Sequence, residues 1–157
     1  ISTQVRLMKN RNLIHHNNWE TPKSLYYELN AEFHFDFDPC PLNAKFDGLE
    51  CTWGKSNFIN PPYERKIKSA FVHKAIAESE KGSVCVLLLP VSTSSLLFHD
   101  VIKKNACEIR FLKGRVKFNG INIDGDLIEV NRPGHNSGMH DSMLVIFDTS
   151  RGKSEGC

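Results

Sequence analysis

With 157 residues, 40% hydrophobic and 24% charged, the chain can bury the core of one compact domain, and nothing in it favours disorder across the body. A formal charge of +2 is too small to announce a dedicated polyanion binder, so any such role has to come from local clustering. Five cysteines, at positions 40, 51, 85, 107 and 157, form no Cys-x-x-Cys pair and leave an odd one over, which argues against a zinc site or disulfide framework and for a reducing, cytoplasmic setting. No apolar run of about 18 residues and no secretory pattern points to a membrane.

In chain order, residues 1–18 read as a polar, basic arm without periodicity, ahead of a domain over 19–149 and a tail over 150–157. Thr21 as N-cap and Pro22 at the first helical position open a helix whose Leu25, Tyr26, Leu29 and Phe33 form an apolar stripe. A strand is expected from His34 to Asp38, then a loop from Pro39 to Trp53, then the apolar pair Phe58-Ile59. Past Tyr63, Ile67, Ala70, Phe71 and Ala75 repeat at helical intervals, with Gly82 as a left-handed cap. The continuous apolar run Val84 to Leu89 predicts a central strand buried on both faces. Thr93 or Ser94 caps a second crossover helix carrying Leu97, Phe98, Val101 and Ile102 and ending at Asn105. Strands follow over Glu108 to Leu112, from Arg115 to Phe118 after a break at Gly114, and over Ser142 to Phe147. Residues 119–141, with Arg132, His135 and His140, form the longest stretch without a core pattern, a length that usually marks a functional loop.

Asn60-Pro61-Pro62-Tyr63, set between a strand and a helix, is the most informative stretch. Two prolines fix their own φ near about −65° and push Asn60 into an extended conformation, so the Asn side chain and the Pro61 carbonyl share one stiff geometry. That pair of acceptors can grip the two hydrogens of a planar amino group, and Tyr63 offers a ring on which a base can stack. Lys55, Arg65, Lys66 and Lys68 flank this loop, and Arg110, Lys113, Arg115 and Lys117 line the later strand pair. Taken singly they are solvated faces; their placement around Asn60 favours binding to phosphate, with Arg132 added from the long loop. His15, His16, His73 and His99 lack ligand spacing, and no metal site is expected.

The tetrapeptide after a strand resembles motif IV of S-adenosylmethionine-dependent amino-methyltransferases. More narrowly, Trp19-Glu20-Thr21-Pro22, Asp38 with Asn43-Ala44-Lys45, Asn60-Pro61-Pro62-Tyr63, Leu89-Pro90 and Phe111 to Phe118 together are similar to the phage-type DNA N6-adenine methyltransferase family, over about Trp19 to Phe147. The resemblance implies an α/β, Rossmann-like methyltransferase fold with a mostly parallel sheet and an antiparallel C-terminal strand. It implies S-adenosylmethionine as cofactor, held by Trp19, Thr21, Pro22, Asp38, Pro39, Cys40, Asn43, Asp47 and Asn60, and DNA as partner, in a host cytoplasm if phage-encoded. Asn60, Pro61, Pro62 and Tyr63 would carry the chemistry on a flipped adenine, and Lys55, Arg65, Lys66, Lys113, Arg115, Lys117 and Arg132 would meet DNA.

The chain departs from that pattern in its first loop, Asp38-Pro39-Cys40-Pro41-Leu42-Asn43, which has no Gly-x-Gly. Between Asp38 and Asn60 there is room for one crossover but not for two further strands, so the sheet is expected to be truncated on the adenosine side. The loop 39–53 or the N-terminal arm would then cover the adenosine, or it would lie open. Asp47 fits either an adenosine contact or a turn with Gly48. The same acceptor geometry also serves a protein glutamine amide or an RNA base amine, and the missing glycine loop fits a non-catalytic nucleic-acid-binding relic. Oligomeric state is not legible.

Overall fold

The computed structural model describes residues 19–42, 44–116, 118–121, 127–128 and 141–152, and statements of absence hold for these residues. In chain order the elements are β1 (Trp19–Glu20), α1 (Lys23–Phe33), β2 (Ser56–Ile59), α2 (Arg65–Glu80) and β3 (Val84–Pro90). A π-helical stretch (Leu97–Ile102) then runs into a short α-helical one (Lys103–Asn105), together α3. After it come β4 (Glu108–Phe111), β5 (Asn119–Ile121), β6 (Leu127–Ile128), β7 (Ser142–Phe147) and a 3-10 turn (Thr149–Arg151). No described helix is long and apolar enough to cross a membrane.

The main sheet has the order β2-β3-β7-β4. It is mixed rather than mostly parallel, which corrects the expectation. The last strand does run antiparallel, but it lies between β3 and β4, so both of its ladders are antiparallel and only β2–β3 is a parallel ladder. The strand expected over His34 to Asp38 shrinks to one parallel bridge between Phe37 and Asn57. Asp36 N and Phe37 N both converge on Ser56 O, and the Asp36 carboxylate accepts from Lys55 N and Ser56 N, so the backbone bends instead of continuing a ladder.

Side-chain alternation builds two cores. Ile59, Leu87, Leu89, Val145 and Phe147 face Phe71, Val72 and Ala75 of α2 and Phe98 and Ile102 of α3. Phe58, Val86, Leu88, Leu144 and Ile146 face Leu29 of α1 and Val116. Helices therefore cover both faces, and the buried runs of β3 and β7 follow from that. α2 ends as expected at Gly82 (φ 102°), with Gly82 N donating to Ser79 O and Ser83 N to Glu78 O.

Smaller departures have local causes. α3 is held at its start by Ser95 rather than Thr93 or Ser94, because Ser95 Oγ accepts from Phe98 N at 3.2 Å. Residues 115, 116 and 118 do not form a strand; Val116 is drawn into the core instead. Part of the stretch expected to lack structure pairs up, with β1, β5 and β6 making a small antiparallel sheet.

Candidate active site

Because β2, β3 and β4 point the same way and β7 points back, the segments after the first three and before the last gather at one end of the sheet. Val91 N donates to Asp141 O at 2.8 Å and Leu112 N to Ser142 O at 3.0 Å, tying these segments together. Asn60 to Tyr63 emerges here, directly after β2. Asn60 Nδ2 donates to Thr21 Oγ1 at 3.1 Å, so the amide is turned with its nitrogen toward α1 and its oxygen away from it. With that hydroxyl facing Asn60, it does not cap α1. Pro22, not Thr21, is the N-cap, one residue later than expected and without a side-chain bond. Tyr63 is half-buried with its ring edge-on to Phe118 (centroids 6.1 Å apart, 89° between planes), and burial raises its phenol pKa so that it stays neutral.

Beyond Thr21 opens a cleft of about 350 Å³ lined by Glu20, Thr21, Lys23, Tyr26, Tyr27, Asp38, Pro41, Leu42 and Phe58. Asp38 reaches it from the bend after the Phe37 bridge. Burial pushes its carboxyl up to about 6, opposed by the Cys40 N–H that donates to Oδ1 at 2.8 Å. No cation lies within ion-pair distance of Asp38 among the described residues. A half-desolvated carboxylate without a positive partner, in a cleft within the size range of small-molecule sites, suits a ligand bearing a cationic group. Burial raises the Tyr26 phenol, with a further push from the Asp38 charge, and burial takes the Cys40 thiol to about 12, which disfavours its thiolate.

The other residues singled out in the sequence divide by position. Pro61 is buried and Pro62 half-buried in the loop itself; Pro39 is buried under the loop that follows it. Asp47 accepts from Leu49 N at 2.9 Å in its own turn and does not line the cleft. Arg65 and Lys66 are exposed in the first turn of α2, beside the Asn60 loop, and Lys113 is exposed after β4. Arg115 ion-pairs with Asp141 at 3.4 Å on the same rim. Lys55 precedes β2 and therefore sits at the opposite end of the sheet from Asn60. Arg110, also considered for phosphate, has its guanidinium engaged by Glu32 and Glu108. Asn43, Lys117 and Arg132 lie outside the described residues, as does the Trp19 side chain; the Trp19 backbone pairs with Gly120. Sequence reasoning missed Lys23 and Tyr27 as cleft residues and took Tyr26 only as stripe; two adjacent tyrosines beside a Thr-Pro start were the available signal.

Residues 10–155 match the family model for DNA N-6-adenine-methyltransferase (Dam). The chain belongs to this family. No curated protein matches it. The Dam match encloses the whole described fold, from β1 to the 3-10 turn, together with both the Asn60 loop and the Asp38 cleft. The family is one of DNA adenine methyltransferases.

Proposed function

We propose that this Dam-family chain transfers a methyl group from S-adenosylmethionine to the N6 amino group of adenine in DNA, with residues 19–149 acting as a Rossmann-like methyltransferase domain short of strands on the adenosine side. The observation that carries the reading is the Asn60–Thr21 hydrogen bond, which joins the amine-gripping loop to the rim of the Asp38 cleft. Asp38 and Thr21 would hold the charged end of the cofactor, with Pro22, Pro39, Cys40 and Tyr26 shaping the cleft around them. When bound, S-adenosylmethionine supplies a methyl group on a cationic sulfur.

The chain's own residues do the rest by positioning. An adenine amine is a poor nucleophile because its lone pair is delocalised into the ring. Asn60 Oδ1 and the Pro61 carbonyl would accept its two hydrogens and draw the nitrogen toward tetrahedral geometry, freeing the lone pair for attack. No strong base is needed, since the extra proton leaves after transfer. In duplex DNA the amine is inaccessible, so the base is flipped and stacked on the neutral ring of Tyr63. Arg65, Lys66, Lys113 and Arg115 border this end and would meet the backbone, joined by Lys117 and Arg132; Lys55, also expected from sequence, lies at the opposite end of the sheet. Basic residues in the first turn of α2 oppose the helix dipole, a local penalty that a bound phosphate would reverse.

The test is transfer of labelled methyl to unmethylated DNA, with RNA and a protein extract as parallel acceptors and Asn60→Ala as control, read by nucleoside mass spectrometry. N6-methyladenine that disappears in the mutant supports the reading. Label in RNA or protein alone, or in no acceptor, would overturn it.

A further inference from the structure

Lys68, in the first turn of α2, is half-buried in a narrow cleft that it shares with Leu89, Pro90, Ser92 and Ser95. Half-buried Lys74, two turns on, has a carboxylate beside it, Glu78 at 3.1 Å. Lys68 has none within ion-pair distance among the described residues. Burial, and then repulsion from Arg65, lower its pKa, so the charged form is disfavoured there. A cation partly withdrawn from water beside a second cation is stabilised by an anionic ligand.

The location narrows the ligand. β2 and β3 run parallel and both end at the Asn60 side of the sheet, with Phe37 bridged to Asn57 of β2, so the Lys68 cleft, which includes Leu89 and Pro90 at the end of β3, lies at the Asn60 end, on the side of β2 away from Asp38. Its far wall is braced: Ser95 Oγ donates to Ser92 O at 2.8 Å and accepts from Phe98 N, and Ser92, which also lines the cleft, is exposed. We propose that Lys68 and Ser92 form a subsite for the DNA phosphodiester next to the flipped nucleotide. This deepens the reading as an adenine methyltransferase and rests on it: a base stacked on Tyr63 carries its own backbone past the start of α2, and Lys68 fixes that phosphate.

The experiment uses duplexes containing the sequence that the wild type methylates, with single neutral methylphosphonates scanned through the phosphates flanking the target adenine. The wild type should lose about tenfold in affinity at one flanking position. Lys68→Gln should lose the same amount on unmodified DNA, show no further loss at that position, and reduce the salt slope by about 0.9. Lys68→Arg should restore both. Coincident thermal melts of wild type and Lys68→Gln show that the loss is not unfolding. If Lys68→Gln keeps the wild-type methylphosphonate profile while the wild type methylates adenine, the subsite is overturned and the activity stands. A wild type that neither binds nor methylates DNA removes both.

Discussion

Asn60 and Asp38 lie on either side of Thr21, and their environments pull in opposite directions. Asn60 is held by a neutral hydroxyl in a fixed orientation, whereas Asp38 is a carboxylate that its surroundings would rather protonate. Asn60→Ala is expected to abolish transfer while cofactor binding, measured by calorimetry, changes little. Thr21→Val removes the orienting acceptor and keeps the shape; kcat should fall by about tenfold or more through lost alignment, and an unchanged kcat would detach Thr21 from the chemistry. Tyr63→Ala should weaken duplex engagement where Tyr63→Phe is tolerated, and equal activity of all three forms would exclude stacking. For Asp38 the sign runs against the usual acidic case. The folded state raises its pKa from 3.8 to about 6, so stability is lost as pH rises across that window. Asp38→Asn should therefore raise stability at pH 7.5 by on the order of 1–3 kcal/mol, with the gain vanishing toward pH 4, while cofactor affinity collapses. Melting curves at the two pH values check this. The Asn60 loop was legible because two prolines leave little conformational choice. The partner of Thr21 was not, because a Thr-Pro pair signals a helix start equally well whether the hydroxyl caps its own helix or reaches 39 residues along the chain.

At the scale of elements, the described residues between Pro39 and Trp53 form no helix or strand, and a close approach at Gly48 helps to hold them. A Cβ on Gly48 would lie 1.8 Å from Pro39 O, and Trp53 Nε1 donates to Gly48 O at 2.7 Å. Gly48→Ala should push this segment off Pro39, lower the melting temperature and weaken cofactor binding about tenfold or more, whereas wild-type behaviour would show that the cleft does not depend on the loop. Periodicity found β3, β7, α1 and α2 because their apolar residues recur at strand or helical spacing. It overstated the strand at Phe37, since a carboxylate that turns back on Lys55 N and Ser56 N has the sequence of a strand and the bonding of a bend. The π-helical part of α3 and the pairing of β1 with β5 depend on long-range packing that no window of sequence carries.

At the scale of the molecule, the net charge said little because what matters is how the basic side chains of the described residues are sorted in space. Arg65, Lys66, Lys113 and Arg115 border the Asn60 end. Away from it, Arg110 spans Glu32 and Glu108 while lying over the Phe33 ring, and Arg151 joins Glu108 at 2.6 Å, covering the exposed edge of β4 and holding α1 to it. Hydrogen bonds from Arg110 and then Arg151 take the Glu108 carboxyl down to about 2. This sorting makes a direct prediction. A double Arg65→Gln, Lys66→Gln variant should lower the salt slope of DNA binding by about 0.9 for each phosphate that the protein no longer neutralises, and Lys55→Gln, at the far end, should leave it unchanged. A shallower slope on changing Lys55 would mean that DNA takes a different path over the protein.

The central place of β7 also governs how the molecule comes into being. Six wholly buried residues fill the gap between β3 and β4, yet they follow every other described strand along the chain. While the polypeptide is being synthesised, the edges of β3 and β4 that will meet β7 stay open, and the loops that frame Asn60 have nothing to anchor them. Until β7 is added the sheet is half-built with apolar edges, exposed to self-association. The two sheet edges, and the loops beyond them, come together only when β7 has been added.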